Sequence, residues 1–284
     1  MKMYIKGIVA AIRNRSIALK YQWNPKSRSH QTKPIYDILL PQLINQSNIY
    51  YELINEVSKH VNQFLNVPDI AKPNSGSVYW KNDYLPGLDL IMIYSLMNKL
   101  NPQKVIEIGS GHSTAVMRKA IVENNLQSHI SCIDPTPRRD ISKLADQYIA
   151  QSLESLDDHS LFFKLSPGDI VFFDGSHISL VNSDVTVFFM EILPYLPIGV
   201  YVHIHDIYLP YDYPSTMAPR GYNEQYLLAQ AMMYNKDKFE IIFPTFWISK
   251  QIEFQSLLDK NFWSKMKYDD LETHGGSFWI KIIS

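Results

Sequence analysis

A short loop with two glycines is the first feature of the sequence that could do chemistry. Residues 107–111 read Glu-Ile-Gly-Ser-Gly; they end an apolar run and are followed by Ser113 and Thr114. Two glycines permit a tight turn that lets the backbone approach a ligand, and the hydroxyls that follow can satisfy free amides where a helix begins. A Gly-x-Gly motif alone is equally compatible with a plain strand-to-helix turn.

Acidic residues at the ends of apolar runs favour a ligand site over a plain turn. Asp134 ends the next apolar run, 25 residues after Gly109, and Asp174 ends a later one. A carboxylate at the first of these positions can accept hydrogen bonds from both hydroxyls of a ribose. Together with Glu107, these residues predict a site for a nucleotide-like cofactor.

Two classes of cofactor use such a loop. A dinucleotide-dependent oxidoreductase has a third glycine three positions after the second, where this chain has Thr114. An acid immediately before the turn, here Glu107, favours the methyltransferase form. We therefore expect a methyltransferase, and keep an NAD(P)-dependent oxidoreductase and a non-catalytic cofactor-binding protein of the same fold as alternatives.

The pattern of apolar residues along the chain predicts the secondary-structure elements that position these residues. Short apolar runs alternate with helix-length segments from residue 104 onward, which predicts a parallel sheet covered on both faces. The expected strands begin at or near Val105, His129, Asp169, Gly199, Phe239 and Ser277, and the expected helices are His112–Glu123, Arg138–Tyr148, Val181–Leu193 and Asn223–Tyr234. Upstream, apolar residues between Ile38 and Leu65 recur at helical intervals. We expect residues 1–100 to be a basic arm and helical extension that packs on the core, and residues 101–284 to be the cofactor-binding domain.

Several sequence blocks resemble class I S-adenosylmethionine-dependent methyltransferases, and among them methyltransferase family 24. The resemblance runs from about Asn82 to the C-terminus. Its more specific blocks are Asp-Gly-Ser-His at 174–177, His-Asp-Ile at 205–207 and Asn-Glu-Gln-Tyr at 223–226. It implies an α/β fold of the Rossmann-like, doubly wound type, with seven strands and an antiparallel last strand near Ser277–Ile283.

The resemblance also implies roles for individual residues. S-Adenosylmethionine is the implied cofactor, with Asp134 at the ribose and Asp174 near the sulfonium. The expected cofactor-binding residues are Tyr84, Glu107, Gly109, Ser110, Gly111, Ser113, Asp134 and Asp174.

Methyl transfer needs alignment of the acceptor with an activated methyl group and, for some acceptors, removal of a proton. The expected catalytic residues are His177, His205 and Asp206, which lie at or just beyond strand ends. We expect His203 to be a hydrogen-bonded core residue, and Asp184 either to orient an imidazole or to begin a helix. An acceptor pocket is expected to use Tyr208, Tyr211, Asn223 and Glu224, although the tyrosines are equally compatible with surface packing.

Some relatives place a divalent metal between an aspartate after strand four and an acidic pair after strand five. The ligands here would be Asp174, His205 and Asp206. The histidine weakens the case for magnesium but leaves a softer divalent metal open.

Bulk composition limits the class of protein and its partners. The chain has 284 residues, 46% hydrophobic and 19% charged, with a net charge of −1, so we expect a small-molecule methyl acceptor and no nucleic-acid partner. Its single cysteine, Cys132, fits a reducing compartment, and we expect a cytoplasmic protein without signal peptide or transmembrane segment. Before Asp37 the charged residues are all basic, which predicts either a solvated packing segment or contact with an anionic surface or substrate. A homo-oligomer is left open.

Overall fold

The architecture is one seven-stranded sheet flanked by helices. The computed structural model describes residues 22–28, 34–70 and 76–284. The strand order is β3-β2-β1-β4-β5-β7-β6, in which β7 runs antiparallel to both of its neighbours. The strands are Lys104–Ile108 (β1), His129–Ile133 (β2), Gln147–Ile149 (β3), Ile170–Phe173 (β4), Tyr201–Ile204 (β5), Phe239–Pro244 (β6) and Phe278–Ile282 (β7).

Helices cover both faces of this sheet. They are Pro34–Asn45 (α1), Ser47–Lys59 (α2), Val61–Phe64 (α3), Gly87–Leu100 (α4), His112–Glu123 (α5), Ser160–Phe163 (α6), Asp184–Val187 (α7), Glu224–Tyr234 (α8), Thr245–Ile248 (α9) and Ile252–Asn261 (α10). The α7 helix continues as a π turn over Phe188–Ile192 and a 3-10 turn over Leu193–Tyr195. This α/β arrangement, with its antiparallel last strand, confirms the predicted fold class.

The order of the central strands creates the crevice. The β1 strand pairs in parallel with β2 on one side and with β4 on the other, so the chain winds outward in both directions from β1 and β4. Ligands of open α/β sheets bind beyond the carboxyl ends of the strands at such a switch point. All four residues of β4 are buried, as expected of a central strand covered on both faces.

The N-terminal helices pack on the core. Tyr50 of α2 is fully buried, and its ring meets Phe243, Trp247 and Phe254 at centroid distances of 5.7 to 5.9 Å. Edge-on aromatic pairs of this kind add to the stabilisation that comes from burial alone. The division of the chain at residue 100 stays a prediction.

One predicted helix is wrong. Residues 138–146 form turns rather than a helix, and residues 147–149 of the same segment form β3. Asp140 accepts a hydrogen bond from the amide of Ser142, and this local bond offers the backbone an alternative to helical pairing. Within the described residues, none of the helices has the length and apolarity needed to cross a membrane.

Candidate active site

The loop after β1 contains one glycine that no other residue can replace without strain. Gly109 has φ +77°, and its amide donates to the carbonyl of Ile133 at 3.1 Å. A Cβ on Gly109 would lie 1.9 Å from the carbonyl oxygen of Asp174. A Cβ on Gly111 would meet no protein atom within 4 Å. Gly109 is therefore required by the fold, whereas Gly111 leaves open space beside the loop.

Glu107 is turned into the protein. Its fully buried carboxylate accepts hydrogen bonds from Ser113 Oγ at 2.5 Å, Thr114 Oγ1 at 2.6 Å and Cys132 Sγ at 3.2 Å. Burial raises the pKa of Glu107 to about 7, against the opposing effect of these donors. Glu107 and Ser113 thus tie β1, β2 and the start of α5 together, and their predicted contact with a cofactor stays a prediction.

Thr114 stands where a dinucleotide fingerprint has its third glycine. Its side chain is fully buried, and its hydroxyl accepts a hydrogen bond from the amide of Gly111 at 2.9 Å. The hydroxyl therefore caps the start of α5 as well as binding Glu107. A glycine here would lose both bonds.

Asp134 lies directly after β2 and faces the same loop. Its Oδ2 accepts hydrogen bonds from the amide of Ser110 at 2.7 Å and from its hydroxyl at 3.0 Å, and its Oδ1 accepts from the amide of Thr136 at 2.8 Å. Each carboxylate oxygen has two lone pairs, so Oδ1 keeps acceptor capacity for a ligand.

A cavity of about 310 Å³ lies between these strand ends. Its lining comprises residues 108–110, 133–136, 152–154 and 174–176 together with Arg138 and Asp184. The structure therefore brings Gly109, Ser110, Asp134 and Asp174 to one cavity, and their predicted contact with a cofactor stays a prediction. Asp184 begins α7 and binds the amide and hydroxyl of Ser176, so it does not orient an imidazole.

Four residues, from the loops after β4 and β5 and from the start of α8, form a charged cluster beside this cavity. The Nε2 atom of His177 lies 3.4 Å from Asp174 Oδ1 and 3.7 Å from Asp206 Oδ2, and its Nδ1 lies 2.5 Å from Glu224 Oε1. Burial alone lowers the pKa of His177, but Glu224, Asp174 and Asp206 outweigh it and raise this pKa to about 10. We define Asp174, His177, Asp206 and Glu224 as the carboxylate–imidazole cluster.

The backbone around His177 is shaped to present its ring. His177 adopts φ +64° and Asp206 adopts φ +53°, the left-handed region that is costly for residues other than glycine. The carbonyl of His177 accepts a hydrogen bond from the amide of Asn223 at 3.0 Å, and its ring contacts that of Tyr222 in a tilted arrangement at a centroid distance of 4.5 Å. Backbone strain of this kind is concentrated at functional sites, which agrees with a chemical role for the cluster.

The other two candidate histidines are engaged within the protein. His205 Nε2 donates to the carbonyl of Tyr84 at 3.1 Å, and its Nδ1 lies 3.4 Å from Ser277 Oγ. His203 is fully buried, stacks on Phe172 at a centroid distance of 3.6 Å and pairs with the same serine hydroxyl at 2.7 Å. The expectation that His203 is a core residue is therefore confirmed.

The predicted metal ligands do not fit a metal ion. Both ring nitrogens of His205 face other protein groups, and the imidazole of His177 stands between Asp174 and Asp206. Among the described residues, no group of three His, Cys, Asp or Glu side chains is arranged to hold a metal ion. The chemistry of this donor set therefore gives no support to a divalent metal.

The residues expected to bind the acceptor differ in burial and in their hydrogen-bond partners. Tyr208 is buried and its hydroxyl donates to Asp206 Oδ1 at 3.2 Å, whereas Tyr211 is half-buried and its hydroxyl accepts from Gln251 at 3.4 Å. Asn223 Oδ1 accepts from the amide of Ser179 at 2.7 Å. Glu224 has no exposed surface, and its Oε2 has no hydrogen-bond partner.

Tyr84 lies at the rim. Its ring is 56% exposed and contacts the guanidinium of Arg138, which lies 4.7 Å from the ring centroid. Because Arg138 lines the cavity, Tyr84 borders the cavity without itself lining it.

A segment before α1 lies on the loop that follows β5. Arg28 donates its amide to Asp212 Oδ2 at 3.0 Å and places its Nε 3.6 Å from the same oxygen, and Ser27 Oγ bonds the carbonyl of Tyr213. This part of the basic arm therefore packs on the protein. Lys2, Lys6, Arg13, Arg15, Lys20 and Lys33 lie outside the described residues.

A family model described as "Methyltransferase domain", that of methyltransferase family 24, matches residues 106–207. This segment contains the end of β1, the glycine loop, Asp134, Asp174, His177 and Asp206. Over this segment the chain is similar to methyltransferase family 24. No curated protein sequence matches it.

Solved structures of similar shape share little sequence with this chain. The O-methyltransferase TomG from Streptomyces achromogenes, solved with SAM, is 12% identical with a TM-score of 0.39, covering 82% of this chain and 90% of its own. The SAH-bound methyltransferase PaMTH1 from Podospora anserina is 12% identical with a TM-score of 0.41, covering 82% and 88%. An O-methyltransferase from Bacillus cereus, solved with SAH, is 12% identical with a TM-score of 0.39, covering 82% and 91%. With scores this low, the fold assignment depends on the strand order itself.

Sequence reasoning missed several residues of this site. Arg138 and the segment Ser152–Glu154 line the cavity, but no motif marks them. Glu224 stands in a recognisable block, yet its partner His177 is 47 positions away, and nothing in either segment signals the pairing.

Proposed function

We propose that this protein transfers a methyl group from S-adenosylmethionine to a small acceptor. The observation that carries the proposal is the meeting of the glycine loop, Asp134 and Asp174 around one cavity at the switch point of the sheet. The match of residues 106–207 to the methyltransferase family 24 model supports it.

Asp134 would accept hydrogen bonds from the ribose hydroxyls, because its Oδ1 keeps a free lone pair toward the cavity. The glycine loop, with Gly109, Ser110 and Gly111, would lie against the amino-acid part of the cofactor. Glu107 and Ser113 would act indirectly by holding the loop, since their polar atoms bond each other.

Bound S-adenosylmethionine supplies a methyl group already activated by the sulfonium, so the protein has to align the acceptor and deal with its proton. His177 is protonated at neutral pH and would stabilise negative charge that develops on an oxygen acceptor. The carboxylate of Asp206 would accept the proton that the acceptor releases. His205, tied to Tyr84, would position the end of β5 beside Asp206.

An acceptor pocket is proposed on the far side of the cluster, at the loop that carries Tyr208 and Tyr211. Tyr208 binds Asp206 directly, and the aromatic surface of this loop suits a small ring or sugar-containing acceptor. The reaction would be O- or N-methylation.

Calorimetry with S-adenosylmethionine and S-adenosylhomocysteine tests cofactor binding. We expect both to bind the wild-type chain, and folded protein that binds neither would overturn the proposal. Turnover is tested separately by measuring S-adenosylhomocysteine formation with a panel of phenols, sugars and amines. Asp206→Asn should abolish the formation of S-adenosylhomocysteine. A non-catalytic binding protein would bind the cofactor but would form no S-adenosylhomocysteine with any acceptor.

A further inference from the structure

The carboxylate–imidazole cluster contains several negative charges that need a counter-charge or hydrogen-bond donors. Three carboxylates lie around the imidazole of His177, those of Asp174, Asp206 and Glu224. Glu224 is fully buried. Buried carboxylates are stable only when a cation or several hydrogen-bond donors face them. Burial raises the pKa of Glu224 to about 7, and a nearby cation would stabilise its ionised form.

The structure supplies that cation from its own chain. Both ring nitrogens of His177 face carboxylate oxygens, Nδ1 at 2.5 Å from Glu224 and Nε2 at 3.4 and 3.7 Å from Asp174 and Asp206. A ring nitrogen that donates to an ionised carboxylate carries a proton, so with the three carboxylates ionised the ring is an imidazolium.

Among the described side chains, His177 is the cation within 4 Å of these carboxylates, whereas the guanidinium of Arg220 acts on Asp206 from farther away and lies 5.7 Å from the ring centroid of Tyr222. The hydroxyl of Tyr208 donates to Asp206 Oδ1, whereas the other oxygen of this carboxylate, Oδ2, lies 3.7 Å from the imidazole. His205 gives its Nε2 proton to the carbonyl of Tyr84. Asp89, also near, already accepts hydrogen bonds from Thr245, Gly276 and Ser277, so it has no need of the imidazolium.

We propose that the imidazolium of His177 is a built-in cation that fills the space in which Asp174 and Asp206 would otherwise bind a divalent metal ion, and that Glu224 is the positioning residue that holds it there. The site is thereby closed to metal. Removing the imidazole would leave two strand-end carboxylates facing a gap, with the oxygen ligands that Mn²⁺ accepts.

The proposal is tested by measuring Mn²⁺ binding to the full chain with electron paramagnetic resonance, in the absence of cofactor and acceptor. Wild-type protein is expected to bind no stoichiometric Mn²⁺ at this site. His177→Ala should bind one Mn²⁺ at least about tenfold more tightly than wild type, and the double variant with Asp206→Asn should lose that gain.

Two results would overturn the inference. One is stoichiometric Mn²⁺ binding by the wild type that Asp206→Asn abolishes. The other is a folded His177→Ala protein that binds no more Mn²⁺ than the wild type. If His177→Ala does not fold, His177→Asn is used in its place. Whichever variant is used, the comparison of Mn²⁺ binding by the wild type and by Asp206→Asn also tests the inference.

This inference concerns the same site as the proposed methyl transfer but is measured without it. Mn²⁺ binding can fail while S-adenosylmethionine still binds, which would leave the proposed function intact. The reverse result is also distinguishable. If the protein binds no cofactor but His177→Ala binds Mn²⁺, the proposed function is overturned and the inference about His177 stands.

Discussion

The Nδ1 atom of His177 lies 2.5 Å from Oε1 of Glu224, although the two residues are 47 positions apart. His177 follows β4 and Glu224 begins α8, so their contact joins the loops beyond β4 and β5. This pair holds the imidazole between Asp174 and Asp206. Both proposals for the site depend on the imidazole staying in that position.

The Glu224–His177 pair should set the protonation of the imidazole. Glu224→Gln removes the nearest negative charge, so the pKa of His177 should fall from its raised value of about 10. NMR titration of labelled histidines measures this directly. The control is Glu191→Gln, an exposed glutamate 3.9 Å from His159. An unchanged His177 titration in Glu224→Gln would contradict the assignment.

The same pair predicts a direction for stability against pH. The folded-state pKa of His177 lies above the usual value of about 6.5, so its stabilising contribution is complete below pH 6.5 and is lost as pH rises toward 10. The destabilisation of Glu224→Gln relative to wild type should therefore be largest below neutrality and shrink in alkali. Urea denaturation from pH 6 to pH 10 checks this, and a constant difference would count against it.

Asp134 should contribute directly to cofactor affinity. Asp134→Asn removes the charge while keeping an oxygen that can accept from Ser110, so loss of a charge-assisted bond should weaken S-adenosylmethionine binding by roughly 1.5–3 kcal/mol. Calorimetry measures the change. Asp140→Asn, an exposed aspartate outside the cavity, is the matched control. Equal affinities for the two variants would remove Asp134 from the site.

The two glycines of the loop should respond differently to alanine. Gly109→Ala places a methyl group against the carbonyl of Asp174 at a positive φ, so it should lower the free energy of unfolding by roughly 3 kcal/mol or more. Gly111→Ala meets no protein atom and should cost less stability, yet reduce cofactor affinity. Urea denaturation and calorimetry separate the two effects. Equal stability loss in both variants would contradict the geometry.

His203 should make the fold sensitive to acid. Burial, with a smaller effect from His205, lowers the pKa of His203 well below 6.5, so below that pH the unfolded chain binds a proton that the folded chain does not. Stability should therefore fall by about 1.4 kcal/mol per pH unit for this group as pH drops below 6.5. His112, with a pKa lowered to about 3 mainly by burial, acts in the same direction.

Replacing His203 with a side chain that does not titrate tests this. His203→Gln keeps a polar atom near Ser277 and should flatten part of the slope between pH 6.5 and 5 in urea denaturation. His274→Gln, at an exposed histidine, should leave the slope unchanged. Identical slopes for wild type and His203→Gln would show that His203 is not the source.

Local sequence was sufficient for the frame of the site. Runs of apolar residues, each ending in a polar residue, predicted the strands that place Asp134 and Asp174 at one edge, because parallel strands align their carboxyl ends. The positive φ at Gly109 follows from a turn encoded within a few residues. The wrong helix over residues 138–148 arose where a local turn around Asp140 competed with helical periodicity.

What the tertiary structure alone decided is which side chains share the cluster. The sequence by itself determined the sheet, the glycine turn and the chemical types at the strand ends, since these depend on short-range periodicity. It could not place His177 between two carboxylates or turn His205 toward Tyr84, because those contacts span loops of unpredictable path. The imidazole of His177 stands between the predicted ligands Asp174 and Asp206, and no local pattern in the sequence could place it there.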